Sequence, residues 1–147
     1  MAVTIGINGF GRIGRCSLAH IAESRREDVR VIKLNAPGPI ETHAHLLRYD
    51  SVHGRFSGVV EVHENSFDLG QGSIEVMSSY ELMDLDWTGC DIVLECTGKF
   101  NDGKTSSEHL RQGAKAVLIS APAKNVDKTV VYGVNHHDLL PGDKMIS

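Results

Sequence analysis

The segment Asn8-Gly9-Phe10-Gly11-Arg12-Ile13-Gly14-Arg15 has the residue types and spacing to hold a pyrophosphate. Gly9, Gly11 and Gly14 fit the G-x-G-x-x-G pattern. Gly9 allows a tight turn out of the strand that precedes it. Gly11 lacks a Cβ, so backbone can approach a phosphate. Gly14 lets the following helix pack closely on the sheet. The N-terminus of that helix then presents free N–H groups and a partial positive charge. A glycine triplet is weak evidence alone and gains weight from a preceding strand and a following helix.

The flanking residues supply those elements. Val3–Asn8 reads as a first strand and Arg12 to about Glu23 as a helix, with Ile13, Cys16, Leu18, Ala19, Ile21 and Ala22 at near-helical spacing. Val29–Asn35 reads as the second strand, completing a βαβ unit. Pro37-Gly38-Pro39 breaks the chain, and Glu41–Arg48 is a short helix. Phe56–Ser79 reads as antiparallel strands on tight turns, inserted between parallel units. Asp91–Cys96, Ala116–Ser120 and Thr129–Gly133 are predicted strands, and Ser106–Gly113 a helix ended by Gly113. The fold class is α/β, a doubly wound, mostly parallel sheet of the Rossmann type with a small antiparallel insertion, occupying 1–147 as one dinucleotide-binding domain.

In such a sheet, ligands lie outside the carboxyl ends of the strands. That rule selects Asn8–Ile13, Asn35-Ala36, Thr97-Gly98-Lys99-Phe100 and Ser120-Ala121-Pro122. The composition sets limits. The chain has 147 residues, 41% of them hydrophobic and 23% charged, as expected of a soluble globular domain. It has no apolar run long enough to span a membrane and no secretory signal pattern at its start. A net charge of −4 argues against a nucleic-acid partner. Arg12, Arg15, Arg25, Arg26 and Arg30 read as a solvated helix face. Cys16, Cys90 and Cys96 read as free thiols of a reducing compartment. Eight histidines show no converging set, so no metal site is expected.

Five ordered motifs, Asn8–Arg15, His45–Phe56, Glu95–Phe100, Gly113–Pro122 and Val131–His136, resemble the phosphorylating glyceraldehyde-3-phosphate dehydrogenase family. Erythrose-4-phosphate dehydrogenases are close relatives and are matched almost as well. The resemblance implies an NAD- or NADP-binding Rossmann domain from a cytoplasmic homotetramer of glycolysis or gluconeogenesis. Carried over by motif, Asn8, Phe10, Gly11, Arg12 and Ile13 line the adenosine and pyrophosphate. Asn35 sits by the adenosine ribose. Thr97, Gly98 and Phe100, with Ser120 and Ala121, flank the nicotinamide half.

The chain departs from the family pattern in two places. NAD-specific members carry Asp after the strand-end Asn, where this chain has Ala36. Alanine removes both the acceptor for a ribose 2′-hydroxyl and the charge that repels a 2′-phosphate. Ala36 therefore joins the candidate residues as a determinant of NAD against NADP. The second departure is the family's nucleophilic cysteine segment, expected after Lys144-Met145-Ile146-Ser147. No cysteine present matches it, so no catalytic residue is assigned. The leading expectation is the cofactor-binding half of an aldehyde dehydrogenase, inactive alone. The competing one is a non-catalytic dinucleotide-binding module.

Overall fold

The computed structural model describes all of residues 1–147. In chain order it contains β1 (Val3–Asn8), α1 (Arg12–Glu23), β2 (Val29–Asn35), α2 (Ile40–Arg48), β3 (Tyr49–Asp50), β4 (Gly54–Arg55), β5 (Glu61–Val62), β6 (Ser66–Asp68), β7 (Ser73–Met77), β8 (Ile92–Glu95), α3 (Gly103–Ser106), α4 (Glu108–Arg111), β9 (Ala116–Ile119) and β10 (Met145–Ile146). Eight strands form one sheet in the order β10-β9-β8-β1-β2-β7-β6-β5, and β3 and β4 form a separate antiparallel pair. Pairing from β10 to β7 is parallel throughout. The chain runs from β1 to β2 on one side and returns to β8 on the other. The order therefore reverses between β1 and β8, where a crevice forms in such sheets.

Alternation along the central strands decides what lies beneath that crevice. Ile5 and Ile7 of β1 pack with Leu18 of α1 and with Leu34, Ala44 and Phe67 in the larger core. Gly6, on the opposite face, lies against the Trp87 ring: a Cβ there would sit 2.6 Å from Trp87 Cε3. Trp87 is fully buried with Leu82, Leu85, Cys90, Val93 and Ala114 in a second core. Successive strand residues face opposite ways. Asn8 therefore shares the Gly6 face, and Glu95 shares the face of Val93.

The βαβ unit forms where the sequence places it. Gly9 has φ +94°, the left-handed turn leaving β1. A Cβ on Gly14 would come within 2.1 Å of the Gly9 carbonyl oxygen, so α1 rests directly on the turn. Gly113, with φ +109°, follows the last turn of α4 as predicted.

Three expectations need correction. Thr129–Gly133 is not a strand. Asn135 folds this stretch into a turn, accepting from Val131 N at 2.7 Å and donating to Thr129 O at 3.1 Å. β10 takes the sheet position beside β9 instead. The helix predicted over Ser106–Gly113 is two short helices, α3 and α4, broken at Ser107. It begins earlier than predicted, at Gly103, because Asp102 caps it by accepting from Lys104 N. The antiparallel insertion is real for β5 with β6 and β6 with β7, but β7 also joins β2 in parallel. It therefore extends the main sheet. Within the main sheet β2 carries a bulge: Ile5 pairs Val31 but Gly6 pairs Lys33, leaving Ile32 unopposed.

Gly14→Ala should lower stability by about 2 kcal/mol or more, because the neighbour it strikes is backbone and cannot rotate away. Thermal denaturation reads this directly, and an unchanged midpoint would contradict the close contact.

Candidate dinucleotide-binding site

A cleft of about 220 Å³ opens at the carboxyl ends of the central strands. It is lined by Asn8, Gly9 and Gly11 after β1, Asn35 and Pro37 after β2, Ser79, Tyr80 and Leu82 after β7, and Cys96, Thr97, Lys99 and Phe100 after β8. Four strand ends thus converge at the topological switch point. Of the residues selected from sequence, Asn8, Gly9, Gly11, Asn35, Thr97, Lys99 and Phe100 line it.

The others lie elsewhere. Phe10 is buried in the larger core, 6.2 Å from the Phe67 ring and 5.8 Å edge-on from His43. Arg12 forks both oxygens of Asp50 at 3.1 Å, tying the start of α1 to the β3 end. Asp50 is held at about 2, first by the backbone N–H groups of His53 and Val52 and then by Arg12. Ile13 is 53% exposed on the first turn of α1. Ala36 is 1% exposed and packs in the larger core, its N–H extending the β2–β7 ladder to Met77 O. Gly98 turns with φ +72° beside the cleft. Ser120 and Ala121 line a separate apolar hollow of about 660 Å³ over β9, with Val131, Tyr132 and Leu139.

The glycines divide their work. Gly9 is required by its conformation and by Thr97, whose N and Cγ2 would lie 2.9 and 2.8 Å from a Cβ. Gly14 is required by packing. At Gly11 a Cβ would meet no protein atom within 4 Å. Nothing in the fold demands that glycine, whereas a phosphate approaching the N-terminus of α1 would. No side chain caps α1 and no acid occupies its first turn. The residues present therefore fit a dinucleotide.

Beneath the cleft runs a buried polar chain. Glu95 Oε2 accepts from Asn8 Nδ2 at 2.6 Å and from His109 Nε2 at 2.8 Å, while Oε1 accepts from the N and Oγ1 of Thr97. Trp87 Nε1 donates to His109 Nδ1 at 2.9 Å. An indole N–H can only donate, so Nδ1 accepts and Nε2 carries the hydrogen directed at Glu95. On the other side Asn35 Nδ2 donates to Asn8 Oδ1 and to Ser79 O, both at 2.8 Å, and Asn35 Oδ1 accepts from Ser79 N. The chain Ser79–Asn35–Asn8–Glu95–His109–Trp87 crosses beneath all four strand ends. Each donor direction is fixed by its neighbour.

Burial is the largest influence on Glu95 and favours the protonated form. The bonds from His109, Thr97 and Asn8 outweigh it, and the net shift is downward from 4.5. Burial pushes the Cys96 thiol up to about 11 against a hydrogen bond with Ser120, and the Cys90 thiol also to about 11. Burial at the cleft wall thus favours the neutral thiol of the half-buried Cys96. No group of histidines, cysteines or carboxylates converges on a metal position.

Reading strand ends from sequence missed Glu95, His109, Trp87 and Tyr80 as parts of the site. Glu95 was visible as a lone acid closing the apolar run Ile92-Val93-Leu94. His109 and Trp87 reach Glu95 only through tertiary packing and carry no local signal.

Glu95 contributes stability that is complete above pH 4.5 and is lost as the pH falls through its depressed folded value. Glu95→Gln should cost about 1–3 kcal/mol, because an amide cannot accept from all four donors. Urea denaturation between pH 3 and 7 should show a shallower acid decline for the variant. Parallel curves would exclude Glu95 as a source of that decline.

Comparison with known proteins agrees with this arrangement. Residues 3–103 match the family described as glyceraldehyde 3-phosphate dehydrogenase, NAD binding domain. The whole chain is 52% identical to the glyceraldehyde-3-phosphate dehydrogenase of Xanthobacter flavus over 149 aligned residues and 47% identical to that of Cereibacter sphaeroides over 147. A chromosomal glyceraldehyde-3-phosphate dehydrogenase of Cupriavidus necator is 46% identical over 151 residues. The chain spans 44–45% of the length of these relatives. A strand–glycine turn–helix unit, a cleft at the switch point and a match over most of the chain converge on one conclusion: this chain belongs to the glyceraldehyde 3-phosphate dehydrogenase family, within its NAD-binding domain.

Proposed function

We propose that residues 1–147 form the cofactor-binding half of a phosphorylating glyceraldehyde-3-phosphate dehydrogenase, and that the switch-point cleft takes NAD or NADP. The observation that carries this reading is the open space at Gly11 beside an uncapped helix N-terminus, within a cleft built from four strand ends. When bound, the cofactor supplies a nicotinamide that accepts hydride. This chain's residues bind and orient it. The N-terminus of α1 faces the pyrophosphate, with Arg12 and Ile13 at its first turn. Asn35 has both amide hydrogens committed, so a ribose hydroxyl meets its oxygen. Thr97, fixed by Glu95, Gly98 and Phe100 hold the wall after β8. Ser120 and Ala121 extend the site towards the nicotinamide. Relatives named as glyceraldehyde-3-phosphate dehydrogenases favour that substrate over erythrose 4-phosphate. The working context of this reading is a homotetrameric, cytoplasmic enzyme of glycolysis or gluconeogenesis. No helix is long and apolar enough to cross a membrane.

Ala36 extends the reading to NADP. No aspartate or glutamate lines the cleft. The repulsion that excludes a 2′-phosphate is therefore missing.

Calorimetric titration of the chain with each dinucleotide tests both statements. Binding of NAD and NADP with comparable affinity is expected. A preference for NAD of about tenfold or more, ~1.4 kcal/mol, would remove NADP from the account. Gly11→Ala should leave the thermal midpoint within about 2 °C and weaken dinucleotide binding about tenfold, since its methyl enters only ligand space. No turnover of glyceraldehyde 3-phosphate with phosphate is expected from the chain alone. Cofactor reduction above background would contradict the absence of a nucleophile.

A further inference from the structure

Lys99 is the one side chain lining the cleft that is charged at neutral pH. It stands on the loop after β8, yet its Nζ lies 5.8 Å from the ring centroid of Tyr80, on the loop after β7. The sheet order between these loops is β8-β1-β2-β7. Three strand spacings, about 14 Å, separate the two strands at sheet level. Lys99 and Tyr80 therefore reach towards each other over the ends of β1 and β2, the side that receives the adenosine ribose. Lys99 forms no ion pair with any carboxylate. Each of the lysines with a salt bridge, Lys33 and Lys115, sits outside the cleft.

The wall below is polar. The Ser78 hydroxyl accepts from Gly38 N at 3.3 Å, which leaves its own hydrogen free. Ser79 Oγ is turned away, to Glu81 O at 3.2 Å and to Asp84 Oδ2 at 3.3 Å. Asp84 is the carboxylate tied to this wall, and it does not line the cleft.

We propose that Lys99, steadied over the strand ends by the Tyr80 ring, is the cation that recognises the 2′-phosphate of NADP. The inference rests on the cleft being a dinucleotide site. An ammonium on a flexible stem acts as a point charge and needs no fixed fork geometry. It takes the place that an arginine clamp would fill, and none lines this cleft.

The test compares the unaltered chain with Lys99→Gln and Lys99→Arg by calorimetry, using NADP, NAD, 2′,5′-ADP and 5′-ADP. Lys99 is exposed, so neither variant disturbs the core. The ratio of NADP to NAD affinity should fall about tenfold in Lys99→Gln and recover in Lys99→Arg. The preference for 2′,5′-ADP over 5′-ADP should fall in parallel, and NADP binding should weaken more steeply with salt than NAD binding. An unchanged ratio, or equal losses for NAD and NADP, would overturn the assignment by placing Lys99 outside the site or on the shared pyrophosphate. Failure of every ligand to bind the unaltered chain would overturn the dinucleotide reading itself.

Discussion

The strand ends depend on one buried carboxylate. Glu95 closes β8 with no lysine or arginine beside it, and four hydrogen bonds hold its charge. A charge buried without a counterion is costly unless its lone pairs are filled. That requirement fixes its neighbours. Thr97 must turn back over β8, Asn8 must present its amide nitrogen, and His109 must present Nε2. Trp87 secures the last of these through Nδ1. Trp87 in turn rests on Gly6, so β1 must carry a residue without a side chain at that position. A single electrostatic demand thus connects the loop after β8, the middle of β1, α4 and the second core.

The same chain of bonds sets the shape of the cleft. Asn8 passes the constraint to Asn35, and Asn35 passes it to Ser79. Backbone pairing alone leaves loop positions after parallel strands free to shift. Here the side chains lock the loops after β1, β2, β7 and β8 to a common platform. A platform whose donors are already paired offers a ligand the open space at Gly11, the N–H groups of α1, the remaining lone pair of Asn35 Oδ1, and the Lys99–Tyr80 pair above. Such preorganisation limits the ordering that binding must supply.

Much of this was legible in the sequence, and the boundary has physical causes. The periodicity of Ile13 to Ala22 and the apolar runs of Val3–Asn8 and Val29–Asn35 give elements that the structure reproduces to the residue. Local chemistry fixed them. Thr129–Gly133 read as a strand because Val130, Val131 and Tyr132 are β-formers. Asn135 instead holds the backbone in a turn, and a side chain four residues away is easily overlooked in a pattern of apolar residues. Ala36 was identified by position, yet its methyl group belongs to the core, so its importance lies in the acid it lacks. The pairing of Glu95 with His109 and Trp87 has no sequence signature, because it arises where separate elements meet.

The most direct measurement is amide chemical-shift mapping of this 16.0 kDa chain as NADP is added. The account predicts that shifts concentrate at Gly9–Ile13, Asn35–Gly38, Ser79–Tyr80 and Thr97–Phe100, with smaller changes passing to His109 and the Trp87 indole through Glu95. Shifts confined to the apolar hollow over β9, or scattered without focus on these four strand ends, would contradict it.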